Sequence, residues 1–261
     1  MALTGLTASP KNLPAALFYD EEGCRLFYEI TRLPEYYLTR TESKLLHTIA
    51  PALPLVAGGT LVEFGGSDET KACILLDQPH APFRTYVSID VAEPALLAMQ
   101  ARLRSSHPRL RVIPIVGDFM QKLHLPPMAE PRLGFFPGST IGNLHPEEAV
   151  RFMAAARASL GVGSWFLLGA DLRKSPNVLL PAYNDAAGVT AAFNLNLLRR
   201  LNREAGANFD LDRFRHRAIW NDAASRVEMH LIACEAHSVQ IAGETVHFAE
   251  GESIHTENSY K

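Results

Sequence analysis

Short hydrophobic runs alternate with amphipathic segments between about Thr60 and Asp171, a pattern that predicts parallel strands with helices between them. The strand-like runs are Leu61 to Phe64, Tyr86 to Ile89, Val112 to Val116, Leu133 to Phe136 and Trp165 to Leu168, and Pro146 to Leu160 reads as an intervening helix. Pro114 cannot donate to a β-ladder, which places the third strand at a sheet edge or at a bulge. The expected class over residues 41–174 is α/β with a mainly parallel sheet.

Outside this block the texture changes. Residues 1–40 are rich in Tyr, Phe and Pro, and residues 175–261 hold a long helical region followed by alternating runs. Arg226 to Ile232, Ser238 to Ile241 and Val246 to Phe248, with a turn at Gly243, read as an antiparallel meander. The two stretches together predict a second, smaller α+β domain.

Composition narrows the function by exclusion. A chain of 261 residues, 47% of them hydrophobic, can bury a substantial core. A formal charge of -3 and a pI near 6.4, with Lys and Arg scattered, provide no basic field, so neither nucleic acid nor an anionic membrane is expected as a partner. Met1 to Gly23 lacks the charged-then-apolar order of a secretory leader, and no apolar run approaches the ~18 residues of a membrane span. A cytoplasmic protein acting on a small molecule is the expectation. Cys24, Cys73 and Cys234 are odd in number and far apart, fit neither a disulfide framework nor a paired-cysteine zinc site, and read as packed, reduced thiols.

The candidate chemistry sits at the carboxyl ends of the predicted strands, where open α/β sheets bind ligands. The first strand runs into the glycine turn Gly65-Gly66-Ser67-Asp68-Glu69-Thr70-Lys71, the second ends in Asp90, and the third ends in Gly117-Asp118-Phe119. Such a turn lets a nucleotide cofactor approach the backbone, Asp90 can accept ribose hydroxyls, and Asp118 with Phe119 suits an adenine amino group and ring. The fourth strand opens into Gly138-Ser139-Thr140-Ile141-Gly142-Asn143, small residues followed by an amide that both donates and accepts. A dinucleotide or S-adenosylmethionine could occupy these ends. The departure from G-x-G-x-x-G and the Gly-Asp-Phe lean toward S-adenosylmethionine, whose adenosine needs no pyrophosphate cradle.

At this point the chain resembles the S-adenosylmethionine-dependent amino-acid N-methyltransferases, whose best-known member is the histidine Nα-methyltransferase of ergothioneine biosynthesis. The likeness runs from about Leu6 to Lys261 and is carried by Phe18-Tyr19-Asp20, Ile30 to Tyr37, the Gly138 to Asn143 loop and Ala182 to Asn194. It implies a Rossmann-like methyltransferase domain and a substrate-binding domain, with Gly65, Lys71, Asp90, Asp118, Phe119 and Gly138 around S-adenosylmethionine. It further implies that Asn143 and Tyr183 hold the substrate carboxylate, that Tyr36 and Tyr19 orient the α-amino group, and that Glu257 and Ser259 bind the imidazole beside Met229. The implied reaction is methylation of the histidine α-amine, in succession to trimethylhistidine.

That chemistry asks for no metal and no nucleophile, because an in-line displacement at a sulfonium methyl mainly requires a neutral amine held in line with water excluded. Two departures from the family pattern stand out. Gly65-Gly66-Ser67 replaces the usual Gly-Ser-Gly, and relatives continue past the Glu-x-Ser segment with a helix and strands that complete the sheet. An incomplete edge is expected to favour self-association. The competing readings are methylation of another amino acid such as tryptophan, a ligand-binding module without turnover, and an NAD-dependent oxidoreductase.

Overall fold

The computed structural model describes residues 2–53, 57–66, 68–79 and 83–261. Two compact units divide the chain: Met1–Tyr37 with Asp171–Lys261, and Leu38–Ala170. In chain order the first unit begins with α1 (Ala2–Leu6), β1 (Lys11–Asn12) and α2 (Glu21–Ile30). After α3 (Tyr37–Ile49), the second unit runs through β2 (Thr60–Phe64), α4 (Thr70–Leu76), β3 (Thr85–Asp90), α5 (Glu93–Ser106), β4 (Arg111–Val116), β5 (Arg132–Phe136), α6 (Pro146–Leu160) and β6 (Trp165–Leu168). The first unit resumes with α7 (Pro176–Ala182), α8 (Val189–Ala205), β7 (Phe214–Asn221), β8 (Arg226–Ala233), β9 (His237–Ile241), β10 (Glu244–Phe248) and β11 (Ser253–Tyr260).

The second unit is a parallel sheet of order β4-β3-β2-β5-β6, α/β and Rossmann-like, built from the strands that the hydrophobic runs predict. The central strand β2 is buried along its whole length, as expected of a parallel strand covered on both faces. Alternate residues divide between two cores. Leu61, Tyr86 and Phe135 pack with Leu75, Leu96, Met99 and Leu103. Val62, Phe64, Val87, Ile89 and Phe136 pack with Phe152 and Leu160 of α6. Pro114 lies opposite Ser88 in β4, an edge strand, where its missing N–H costs no ladder bond. β6 forms the other edge, and its Trp165 is 62% exposed.

The first unit carries a mixed sheet of order β1-β11-β8-β7 and a separate hairpin of β9 and β10. This corrects the meander: β8 pairs with β7 and β11, not with β9. β9 lost to the more distant β11 because β11 offers eight residues of matching alternation, whereas the turn after β8 carries the chain off the sheet. Only the hairpin stands as expected, closed by Ala242 and Gly243 at φ +50° and +84°, the left-handed pair that matches strand twist. Helix starts explain several of the unusual strings. Asp20 caps α2 through the Gly23 N–H and also accepts from Asn196 and Arg203. Asp185 accepts the N–H groups of Val189 and Thr190 at the start of α8. All three cysteines are free thiols, but Cys234 is exposed rather than packed, since it sits where the chain leaves β8.

Candidate functional site

Parallel pairing brings the ends of β2, β3 and β4 to one edge of the sheet. Gly65 N–H donates to Ile89 O, and Gly117 N–H to Asp90 O, so the two glycine turns flank the end of β3. Gly65 has φ +76°, and a Cβ there would lie 3.5 Å from the Phe119 ring. Phe119 in turn meets Phe136 and Phe152 edge-on, which holds its plane beside the turn. Asp90 accepts the Ala92 N–H at 2.9 Å, and burial raises its carboxyl above the ordinary value. Asp118 is exposed and accepts the Met120 N–H at 2.8 Å. Ser67, the residue that departs from the family turn, lies outside the described residues.

Gly138, at φ +82°, and Lys71 converge on one side chain that nothing in the sequence singles out, Glu42 of α3. The Gly138 N–H donates to its carboxylate at 2.9 Å and Lys71 Nζ lies 2.5 Å from Oε2. A Cβ on Gly138 would stand 3.2 Å from Thr140 Oγ1 and 3.7 Å from Lys71 Nζ, so the left-handed backbone at this residue, rather than lack of space for the lysine, favours glycine. Asn143 ends the 3-10 turn Thr140–Asn143 that follows Gly138, and so belongs to this unit. Glu63, one residue before the end of β2, is buried with the Tyr86 hydroxyl donating to it at 2.5 Å. Burial pushes its carboxyl up to about 8, with the Tyr86 bond and Lys71 pulling the other way.

In the other unit an aromatic group joins the proposed amine-binding tyrosines. Tyr36 meets Tyr183 edge-on at 6.2 Å and Phe27 at 6.4 Å, and Phe27 meets Tyr19 at 6.3 Å. Phe27, on α2, is thus the ring that links Tyr19 to Tyr36. The sequence signal for it was its place on the apolar face of a capped helix, which reads equally as core. Tyr36 and Tyr183 are buried, and Tyr19 remains 36% exposed.

Met229, Glu257 and Ser259 come together through the pairing of β8 with β11. Glu257 stands opposite Met229, and Ser259 opposite Val227. A bulge at Thr256 sets this register, because His255 is opposite His230 and one residue is then left over. Thr256 fixes the bulge by donating to Met229 O at 3.0 Å. Ser259 Oγ lies 2.6 Å from the Tyr183 hydroxyl. Burial raises the Glu257 carboxyl to about 8, against the pull of Lys261. On the same strands Glu228, His230 and His255 lie close enough to share a cation, but Arg226 already sits 2.6 Å from Glu228. None of the described helices is long and apolar enough to cross a membrane.

A family model described as histidine-specific, S-adenosylmethionine-dependent methyltransferase matches residues 1–261. The chain belongs to that family. It is 44% identical to the histidine N-alpha-methyltransferase of Mycolicibacterium smegmatis, over 98% of this chain and 82% of that protein. It is 40% identical to the protein of the same name from Mycobacterium tuberculosis, over 99% of this chain and 82% of that one. Ergothioneine biosynthesis protein 1 of Neurospora crassa is 31% identical over 76% of this chain, which spans 23% of that longer protein. The protein is an S-adenosylmethionine-dependent N-methyltransferase.

The sheet edge of this methyltransferase fits its methyl donor. Gly65 and Gly138 stand at positive φ in the turns, Phe119 offers a ring beside the first of them, and Asp90 and Asp118 place carboxyls at successive strand ends. Lys71 brings a cation to the glycine loop.

Proposed function

We propose that this methyltransferase methylates the α-amino group of L-histidine, in succession to trimethylhistidine, as a step of ergothioneine biosynthesis. The reading assigns the donor to the Leu38–Ala170 unit, with Gly65, Lys71, Asp90, Asp118, Phe119 and Gly138 in contact with it. It assigns Tyr36, Tyr19, Tyr183, Met229, Glu257 and Ser259 to the amino acid, and Asn143 to its carboxylate.

The bound donor supplies an electrophilic sulfonium methyl. What the chain must supply is a neutral amine held in line and kept dry. A tyrosine hydroxyl can accept one amine N–H and so aim the nitrogen lone pair, the role given to Tyr36. The amine proton is lost to solvent between methylations, so no strong base is required. As methyls accumulate the nitrogen becomes a fixed cation, and the rings of Tyr19, Phe27 and Tyr36 are suitable neighbours for it.

The observation that carries the substrate choice is Glu257 standing opposite Met229 with Ser259 two residues on. A buried carboxylate beside an apolar wall favours a ring that carries an N–H, and leaves an apolar side chain with an unpaired acceptor. The test is mass spectrometry of the products from S-adenosylmethionine and a panel of free amino acids. Methylated histidine alone, reaching three added methyl groups with time, is expected. Another amino acid methylated in preference to histidine would overturn the reading.

A further inference from the structure

The alternation of β11, continued one residue past its end, places Glu257, Ser259 and Lys261 in one row, and Lys261 is the member that no resemblance assigns. Its side chain is fully buried, at 0% exposure. The ammonium has three partners: Asp171 Oδ2 at 3.0 Å, the Tyr183 hydroxyl at 2.8 Å and Ser259 Oγ at 2.9 Å. Asp171 is itself held by Tyr37 and Lys174, so the lysine is anchored from behind by a fixed carboxylate.

The proton count at this cluster is informative. An ammonium donates and never accepts, so all three Lys261 N–H groups are spent. Tyr183 and Ser259 each accept one of them. The two hydroxyls also lie 2.6 Å apart, so one donates to the other. Two hydroxyl protons serve one shared bond, and one O–H is left over whichever way that bond points. Among the described residues no acceptor takes it. The pair therefore offers a ligand one donor and, with its oxygens already facing an ammonium, little capacity to accept.

We propose that Lys261 is a specificity-determining positioning residue that commits the Tyr183–Ser259 pair to donating to the lone-pair nitrogen of a neutral imidazole ring. Two residues away on the same row, at roughly 6.6 Å along the strand, Glu257 is an acceptor. An acceptor and an obligate donor so spaced complement a ring with an N–H on one edge and a bare nitrogen on another. Indole has no bare ring nitrogen, and an imidazolium would turn a second N–H toward a donor. This assignment rests on the histidine reading and adds the tautomer and charge state of the ring that is recognised.

The test compares L-histidine with β-pyrrolylalanine, which keeps a ring N–H but has carbon in place of the bare nitrogen. Initial rates with S-adenosylmethionine are measured for the wild type, Lys261→Met and Ser259→Ala. Lys261→Met is expected to raise the histidine KM at least tenfold with kcat changed much less, and to leave the KM of the pyrrole within about twofold. Adding Ser259→Ala to Lys261→Met should cost less than the sum of the two single losses, since both act on the same hydroxyl pair. Equal losses on the two substrates, or an unchanged histidine KM, would overturn the role of Lys261. If Lys261→Met does not melt cooperatively, Ser259→Ala decides alone by the same selective loss or its absence. A wild type that methylates neither compound would instead bring down the histidine reading, and the lysine role with it.

Discussion

Met229 and Glu257 stand directly opposite each other across β8 and β11, immediately beyond the bulge at Thr256. Were the same sequence to run through Thr256 as a regular strand, every side chain after it would turn to the other face of the sheet. Glu257 and Ser259 would then share a face with His255, and Met229 would lose its carboxylate neighbour. The placement of Glu257 beside Met229 therefore depends on one irregularity, held by the Thr256 hydroxyl on Met229 O.

Asp90 tests the cofactor half. Asp90→Ala is expected to weaken S-adenosylmethionine binding by about 1.5–3 kcal/mol, the cost of a lost charged hydrogen bond, while histidine binding changes little. Calorimetry with each ligand separates the two. An unchanged cofactor affinity would remove Asp90 from the site.

Asn143 is assigned the substrate carboxylate. Histamine, which lacks that group, should be a poor substrate for the wild type, and Asn143→Ala should narrow the gap between histidine and histamine by raising the histidine KM. Equal methylation of the two compounds by the wild type would contradict the assignment.

Asp20 is expected to matter for stability. Removing its carboxylate strips the α2 cap together with the bonds from Asn196 and Arg203. Asp20→Ala should cost about 2 kcal/mol and lower Tm by roughly 4–8 °C. A melting temperature equal to that of the wild type would show the network to be idle.

Glu63 makes a pH prediction. Its folded carboxyl is raised to about 8 from an ordinary 4.5, chiefly by burial. The folded protein therefore binds more protons than the unfolded chain between those values, and stability falls as pH rises through that window. Glu257 slopes the same way for the same reason. Glu63→Gln should gain on the wild type in Tm as pH is raised from about 5 to about 9. A parallel pH dependence for both proteins would sink the assignment.

Much of the sheet was legible because a parallel sheet covered on both faces writes itself as continuous apolar runs, and Pro114 even marked the edge strand. β7 was not legible. Its Arg215, His216 and Arg217 hide the alternation, although it pairs with the strand that directly follows it, β8. Glu42 could not be found from its helix, since its role is to gather Lys71 and Gly138, which lie 29 and 96 residues further on. Lys261 did leave a signal, the two-residue spacing from Ser259, that only the position of Glu257 makes meaningful.

Selection of histidine by the Glu257 carboxylate is tested by a competition assay. Equal histidine and tryptophan, with a labelled methyl donor, are offered to the wild type and to Glu257→Ala, alone and with Met229→Val, and the labelled products are counted. Histidine products almost alone are expected from the wild type. A shift of roughly thirtyfold toward tryptophan is expected in the variants, corresponding to ~2 kcal/mol of lost discrimination. An equal fall on both substrates, with the ratio unmoved, would contradict it.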